Sequence, residues 1–130
     1  MSCTLNNLKR YMAFICPDCY EICERDINIF ECSSFFEASC PSECSESCIS
    51  ISRDKGKFKV FIECPACGDT HTFDISVQSF MQKNNIFFSC PEWNLRIFFL
   101  GKDKKSVHDE ANLSRLMLLE IEKEFDDLIF

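Results

Sequence analysis

Cys64-Pro65-Ala66-Cys67-Gly68-Asp69-Thr70-His71 places two thiols three positions apart, a proline between them, a glycine directly after and an imidazole four residues further on. Two thiolates on one tight turn reach a single tetrahedral ion at metal–sulfur distances of about 2.3 Å. Proline stiffens such a turn, and glycine accepts the unusual backbone angles that follow it. Working outward, the same arrangement stands at Cys16-Pro17-Asp18-Cys19, with Cys23 four residues on, and at Cys40-Pro41-Ser42-Glu43-Cys44, with Cys48 four on. A fourth copy, Cys90-Pro91-Glu92-Trp93, has tryptophan where the second thiol belongs and Ile97 at the later position. The four Cys-Pro pairs are spaced by 24, 24 and 26 residues and use every proline in the chain. A short apolar stretch precedes each: Ala13-Phe14-Ile15, Phe35-Phe36, Val60-Phe61-Ile62 and Ile86-Phe87-Phe88. The chain is an internal repeat of four cysteine knuckles, three complete and one degenerate.

Composition agrees. Eleven cysteines in 130 residues is a density that signals metal or disulfides rather than ordinary packing. The odd count suits a fully paired disulfide set poorly. The longest apolar run, Tyr11 to Cys16, falls far short of the roughly 18 residues of a membrane span. Pro17 and Asp18 end it too soon for the core of a signal peptide. The expected setting is therefore the cytoplasm, where thiols stay reduced and available to metal. No membrane association is expected. The net charge of −7 disfavours nucleic acid as a partner of the whole surface. Only residues 49–100, with 6 basic and 5 acidic side chains, lean positive.

On the motifs Cys16-Pro-Asp-Cys19 and Cys64-Pro-Ala-Cys67-Gly68, residues 13–100 resemble the zinc-ribbon, or rubredoxin-like, group of metal-binding β-folds. The resemblance implies a metal-bearing fold. Members of the group serve as transcription-machinery parts, ribosomal proteins, enzyme appendages and interaction modules, so function stays open, and rubredoxins hold iron rather than zinc. Two ways of pairing the knuckles are open. In a sequential register Cys16, Cys19, Cys40 and Cys44 form one set, and Cys64, Cys67 and Cys90 form another, completed by His71 or a distant residue. In a central register Cys44 and Cys48, or Cys40 and Cys44, join Cys64 and Cys67 across the hairpin Ile49–Ile62. The sequential register is favoured because it uses all four Cys-Pro positions. One or two Zn²⁺ per chain are expected. Cys23 and Cys48 flank the sets, while Cys3 and Cys32 lie outside the repeat.

The fold class expected is α+β: two small zinc-ribbon-like antiparallel β units in tandem, then a long amphipathic C-terminal helix. The divisions are residues 1–48 for the first knuckle unit with a short N-terminal helix, 49–101 for the second unit and 102–130 for the helix. Leu5, Leu8 and Tyr11/Met12 suggest a helix over residues 4–12. Strands are expected at 49–53, 58–62, 70–76, 86–89 and 94–100, with a helical turn through Val77–Lys83. The last helix is expected to start at Ser106, capped with the help of Asp109, and to run to about Ile129. Its apolar face (Val107, Ala111, Leu118, Ile121, Phe125 and Leu128, widened by Leu113, Leu116, Met117 and Leu119) is broad enough to pack on the strands or to bind a partner. Leu118 and Phe125 are the residues expected to meet that partner, another protein or a second copy of the chain. His108 is expected to be solvated.

No His-Glu pairing, nucleophile elbow or glycine-rich phosphate loop is present, so the chain reads as non-enzymatic. The favoured function is a small intracellular adaptor or regulator in which zinc is structural. One alternative is a nucleic-acid-binding, transcription-associated module that uses Arg53, Lys55, Lys57 and Lys59 on the hairpin tip, with Phe58 stacking on bases. The other is an iron-binding electron carrier.

Overall fold

Each Cys-Pro pair falls at, or within two residues of, the end of the first strand of a β-hairpin. The computed structural model describes residues 9–32, 35–42, 44 and 48–129, with helix side chains through 125. Eight strands and two helices are found among these residues. The hairpins are β1 (Lys9–Ile15) with β2 (Ile22–Asn28), β3 (Phe35–Ala38) with β4 (Ile49–Asp54), β5 (Lys57–Glu63) with β6 (Thr70–Ser76), and β7 (Asn85–Cys90) with β8 (Leu95–Gly101). A short helix α1 (Val77–Gln82) follows β6, and α2 (Lys104–Ile129) closes the chain. The architecture is mixed α+β.

Hydrogen bonding sorts the hairpins into two antiparallel four-stranded sheets. The outer hairpins of the chain form one, in the order β2-β1-β8-β7, and the inner two form the other, β3-β4-β5-β6. β1 joins β8 through Tyr11↔Gly101 to Phe14↔Phe98, and β4 joins β5 through Ile49↔Ile62 to Asp54↔Lys57. The boundary expected between residues 48 and 49 therefore falls inside a hairpin whose strands β3 and β4 are paired, and the strands of the expected first unit are shared between both sheets. Spacing along the chain does not reveal this nesting.

Burial follows the pleat in the inner-hairpin sheet. Ile49, Ile51, Phe58, Val60, Ile62 and Ile75 are buried, while their alternating neighbours are exposed or half-buried. The outer-hairpin sheet is covered on both faces, which explains the nearly continuous apolar run of β8. Met12, Phe14, Phe98 and Leu100 face the other sheet. Ala13, Ile15, Leu95 and Phe99 meet Val107, Ala111 and Leu118 of α2. A bulge helps: Phe88 pairs with Phe98 but Ser89 with Arg96, so Ile97 is an extra residue and joins Phe98 in the intersheet core. The result is three layers: sheet, sheet, helix.

Double-sided burial also corrects the N-terminal reading. Lys9–Met12 belong to β1, not to a helix; residues 4–8 lie outside the described residues. Tyr11 and Met12, taken as neighbours on a helix, point to opposite faces of a strand that is covered on both sides. Arg10, 3% exposed, donates from Nε to the Phe80 carbonyl at 3.2 Å and from Nη2 to the Met81 carbonyl at 2.8 Å, tying β1 to the end of α1. The start of α2 is also corrected. Asp103 is the cap: its Oδ2 accepts the Ser106 backbone N–H at 3.1 Å and the Ser106 hydroxyl at 2.8 Å. Ser106 stands three residues into the motif, where its N–H is one of the donors a helix start leaves over.

Candidate metal centres

The first, third and fourth knuckles share one backbone design. The N–H of residue 20 donates to the Cys16 carbonyl at 2.9 Å, that of Gly68 to Cys64 at 3.1 Å and that of Asn94 to Cys90 at 2.8 Å. These three donors all have left-handed backbones: φ is 62° at Tyr20, 84° at Gly68 and 53° at Asn94. Glycine and asparagine accept this conformation readily, whereas a tyrosine there must be held. Helix α2 holds it. Arg115 Nε donates to the Tyr20 carbonyl at 2.7 Å, and the Tyr20 hydroxyl donates to Glu122 Oε1 at 2.6 Å. Burial and the Glu122 carboxylate push the phenol up to about 12. The same helix reaches the fourth knuckle, where Phe125 meets Trp93 edge-on with ring centroids 5.4 Å apart. The degenerate knuckle thus keeps its turn although it has lost its second thiol.

The hairpin ends bring the expected ligands into two groups of four. Cys16, Cys19, Cys40 and Cys44 form one, and Cys64, Cys67, His71 and Cys90 the other, divided as in the sequential register; within each group the ligand atoms lie within 4.8 Å of one another. Around a tetrahedral ion with bonds of about 2.3 Å, sulfurs stand about 3.8 Å apart. Cys19 Sγ and Cys40 Sγ are 3.6 Å apart, and Cys67 Sγ and His71 Nε2 are 3.2 Å apart. Both groups therefore fit a four-coordinate metal. Each also draws on both sheets. The first joins the β1–β2 hairpin to the β3–β4 hairpin, and the second joins β5–β6 to β7–β8.

His71 completes the second group because of the pleat of β6. His71, Phe73 and Ile75 alternate with exposed Thr70, Thr72 and Asp74, so the imidazole turns toward the interior, where Phe73 stacks on Phe88 of the opposite sheet at 4.5 Å. Backbone N–H groups point at ligand sulfurs in both groups. Cys64 Sγ accepts N–H bonds from Ala66 at 3.3 Å and Cys67 at 3.4 Å, and Cys40 Sγ accepts one from Ser42 at 3.4 Å. The Ser42 N–H holds the Cys40 thiol down at about 6. Cys44, hydrogen-bonded to Cys19, is pushed up to about 12, and burial does the same to Cys64. Crowded thiols of this kind do not all ionise together, since neighbouring thiolates repel.

The other expected residues fall elsewhere. Cys32 is fully buried outside both groups, with burial raising its thiol to about 12; Cys3 lies outside the described residues. His108 Nδ1 stands 2.8 Å from Glu24 Oε1. On the basic hairpin, Lys57 and Lys59 face the same carboxylate, Asp74, at 3.2 and 3.8 Å, and Arg53 Nε donates to the Lys55 carbonyl. Phe58, expected to stack on bases, is instead 1% exposed and packs on Phe80, because its side of β5 faces the core. Leu118, expected to meet a partner, is 1% exposed against the strands. Phe125 is 44% exposed despite its contact with Trp93. Among the described side chains, the other apolar residues that α2 turns to solvent are Leu113, Leu116, Met117 and Leu119, 38–56% exposed. No described helix is long and apolar enough to cross a membrane. No protein-family model, curated protein or solved structure matches the chain.

Proposed function

We propose that the protein is a metal-stapled, non-enzymatic interaction module of a reducing compartment, with structural zinc in both clusters and the outward row of α2 as its docking face. One observation carries this reading: each cluster is a complete set of four protein ligands that spans two sheets. Four protein ligands leave no open position for a catalytic water, and a closed site of this kind contributes to folding directly. Thiolate and imidazole donors suit zinc, while the all-thiolate first set also suits iron. Leu113, Leu116 and Met117 are spaced as one exposed apolar strip, the pattern by which helices engage partners.

Elemental analysis of the purified protein tests the metal assignment. A colourless protein containing zinc is expected, whereas a coloured iron protein sinks the structural-zinc reading in favour of the electron carrier. For the docking face, L113S/L116S is expected to abolish association, followed by light scattering for self-association and by titration with any partner, while melting stays within a few degrees of the parent. Unchanged association removes α2 as the docking face.

A further inference from the structure

Helix α2 carries its charges unevenly. Residues 102–115 hold four basic and three acidic side chains, whereas residues 116–129 hold one basic and five acidic. At 3.6 residues per turn, Lys105, Asp109, Leu113, Leu116, Glu120 and Lys123 lie along one stripe of the helix. All six are exposed. They stand opposite the side on which Val107, Ala111, Ser114 and Leu118 are buried. The stripe reads charged, apolar, charged, and Leu119 widens its apolar middle. Turned end for end about Leu116, the stripe fits itself. Leu116 then faces Leu116 of the reversed copy, Leu113 faces Leu119, Asp109 faces Lys123 and Asn112 faces Glu120. Each unlike pair occurs twice, as a twofold axis requires. Apolar groups meet apolar groups, and each charge meets an opposite charge or an amide. A parallel pairing would set Asp109 on Asp109, Lys123 on Lys123 and one acidic half on the other. A slip of about one turn brings Glu120 opposite Asp109 in one direction and opposite Leu116 in the other.

We propose that the occupant of this face is a second copy of the chain, bound as an antiparallel pair of α2 helices with the twofold axis at Leu116. The leucines drive the pairing by leaving water, and the Asp109–Lys123 pairs fix its direction and register. Because α2 already packs on β1 and β8 within one copy, pairing joins two folded chains. This inference rests on reading the outward row of α2 as the docking face, and it names what docks there.

The test is sedimentation equilibrium of the full chain, of D109K, of K123D, of an equimolar mixture of those two, and of L113S/L116S. The parent is expected to dimerise. D109K and K123D are each expected to weaken the dimer at least about tenfold, since each sets like charges opposite one another at both ends of the pair. The mixture is expected to recover to within about threefold of the parent, because each copy then supplies the charge the other needs. A monomeric parent overturns the second copy as occupant and leaves α2 free to dock a different protein. A dimer that L113S/L116S abolishes but the charge variants leave unchanged overturns the antiparallel register. A dimer that survives L113S/L116S overturns the docking face together with this inference. If a charge variant does not fold, the salt response of the parent decides: a dimer that loosens as salt rises supports the charge pairing, and a salt-indifferent one overturns it.

Discussion

Trp93 shows how much a single position sets the composition of a candidate metal site. It occupies the place held by Cys19 and Cys67 in their own turns, and its turn survives intact, with Asn94 left-handed and hydrogen-bonded to Cys90. In the candidate second group the fourth donor comes instead from the opposite sheet, from His71 on β6. A compensation of this kind should be reversible. H71A is expected to lose the metal of the second cluster, and H71A/W93C to recover it as an all-thiolate site, with ion counting and cobalt spectra as the readout. The rescue costs the Trp93–Phe125 edge contact, about 0.5–1.5 kcal/mol. Failure of the double variant to regain the ion would mean that the fourth turn does not aim its third residue at the cluster. The ligands of the complete knuckles were legible because two thiols around a proline state a local geometry. His71 was legible only as an option, because its choice depends on which face of β6 turns inward.

At the scale of elements, α2 is a brace with two unlike sides. Val107, Ala111, Ser114 and Leu118 lie buried at helical spacing against β1 and β8, while Leu113, Leu116 and Met117 face outward. Leu118→Ala is expected to cost about 2–5 kcal/mol, as for other buried leucines. Leu116→Ala is expected to stay within about 0.5 kcal/mol. Denaturant unfolding of the pair checks the orientation, and the reverse order would mean the helix is rotated. The helix itself was legible from its period, and the inner hairpin from its alternation. The wide apolar face was not divisible in sequence, because both sides of α2 carry leucine. β1 misled for a related reason: a strand buried on both faces loses the alternation that identifies strands. Gly101 marks the tightness of the helix entry, since a Cβ there would stand 2.8 Å from Val107 Cγ2 and 3.1 Å from the Asn84 carbonyl.

Across the whole molecule the four hairpins form a closed ring of alternating links. The candidate metal groups join the first hairpin to the second and the third to the fourth; hydrogen-bonded ladders join the second to the third and the fourth to the first. Acid acts on the metal links. The Cys40 thiol is held at about 6, below its ordinary value of 9.0. The thiolate there stabilises the metal-free fold fully above about pH 9, and that contribution is lost as pH falls through 6. Protons compete with the ion in the same direction. Metal content and melting temperature are therefore expected to fall together as pH drops below about 6. A fold that keeps its melting temperature after acid has stripped the ions would mean that the ladders alone hold the ring. The ring also implies a history for each molecule as it assembles. Cys16 to Cys44 and Cys64 to Cys90 are short excursions of chain, whereas the paired Tyr11 and Gly101 are 90 residues apart in sequence. Closing a short loop costs less entropy and happens sooner than joining distant strands. Were an ion captured early, each half would be a stapled pair of hairpins, and the search of β1 for β8 would become the docking of two preformed pieces rather than the collapse of an open chain.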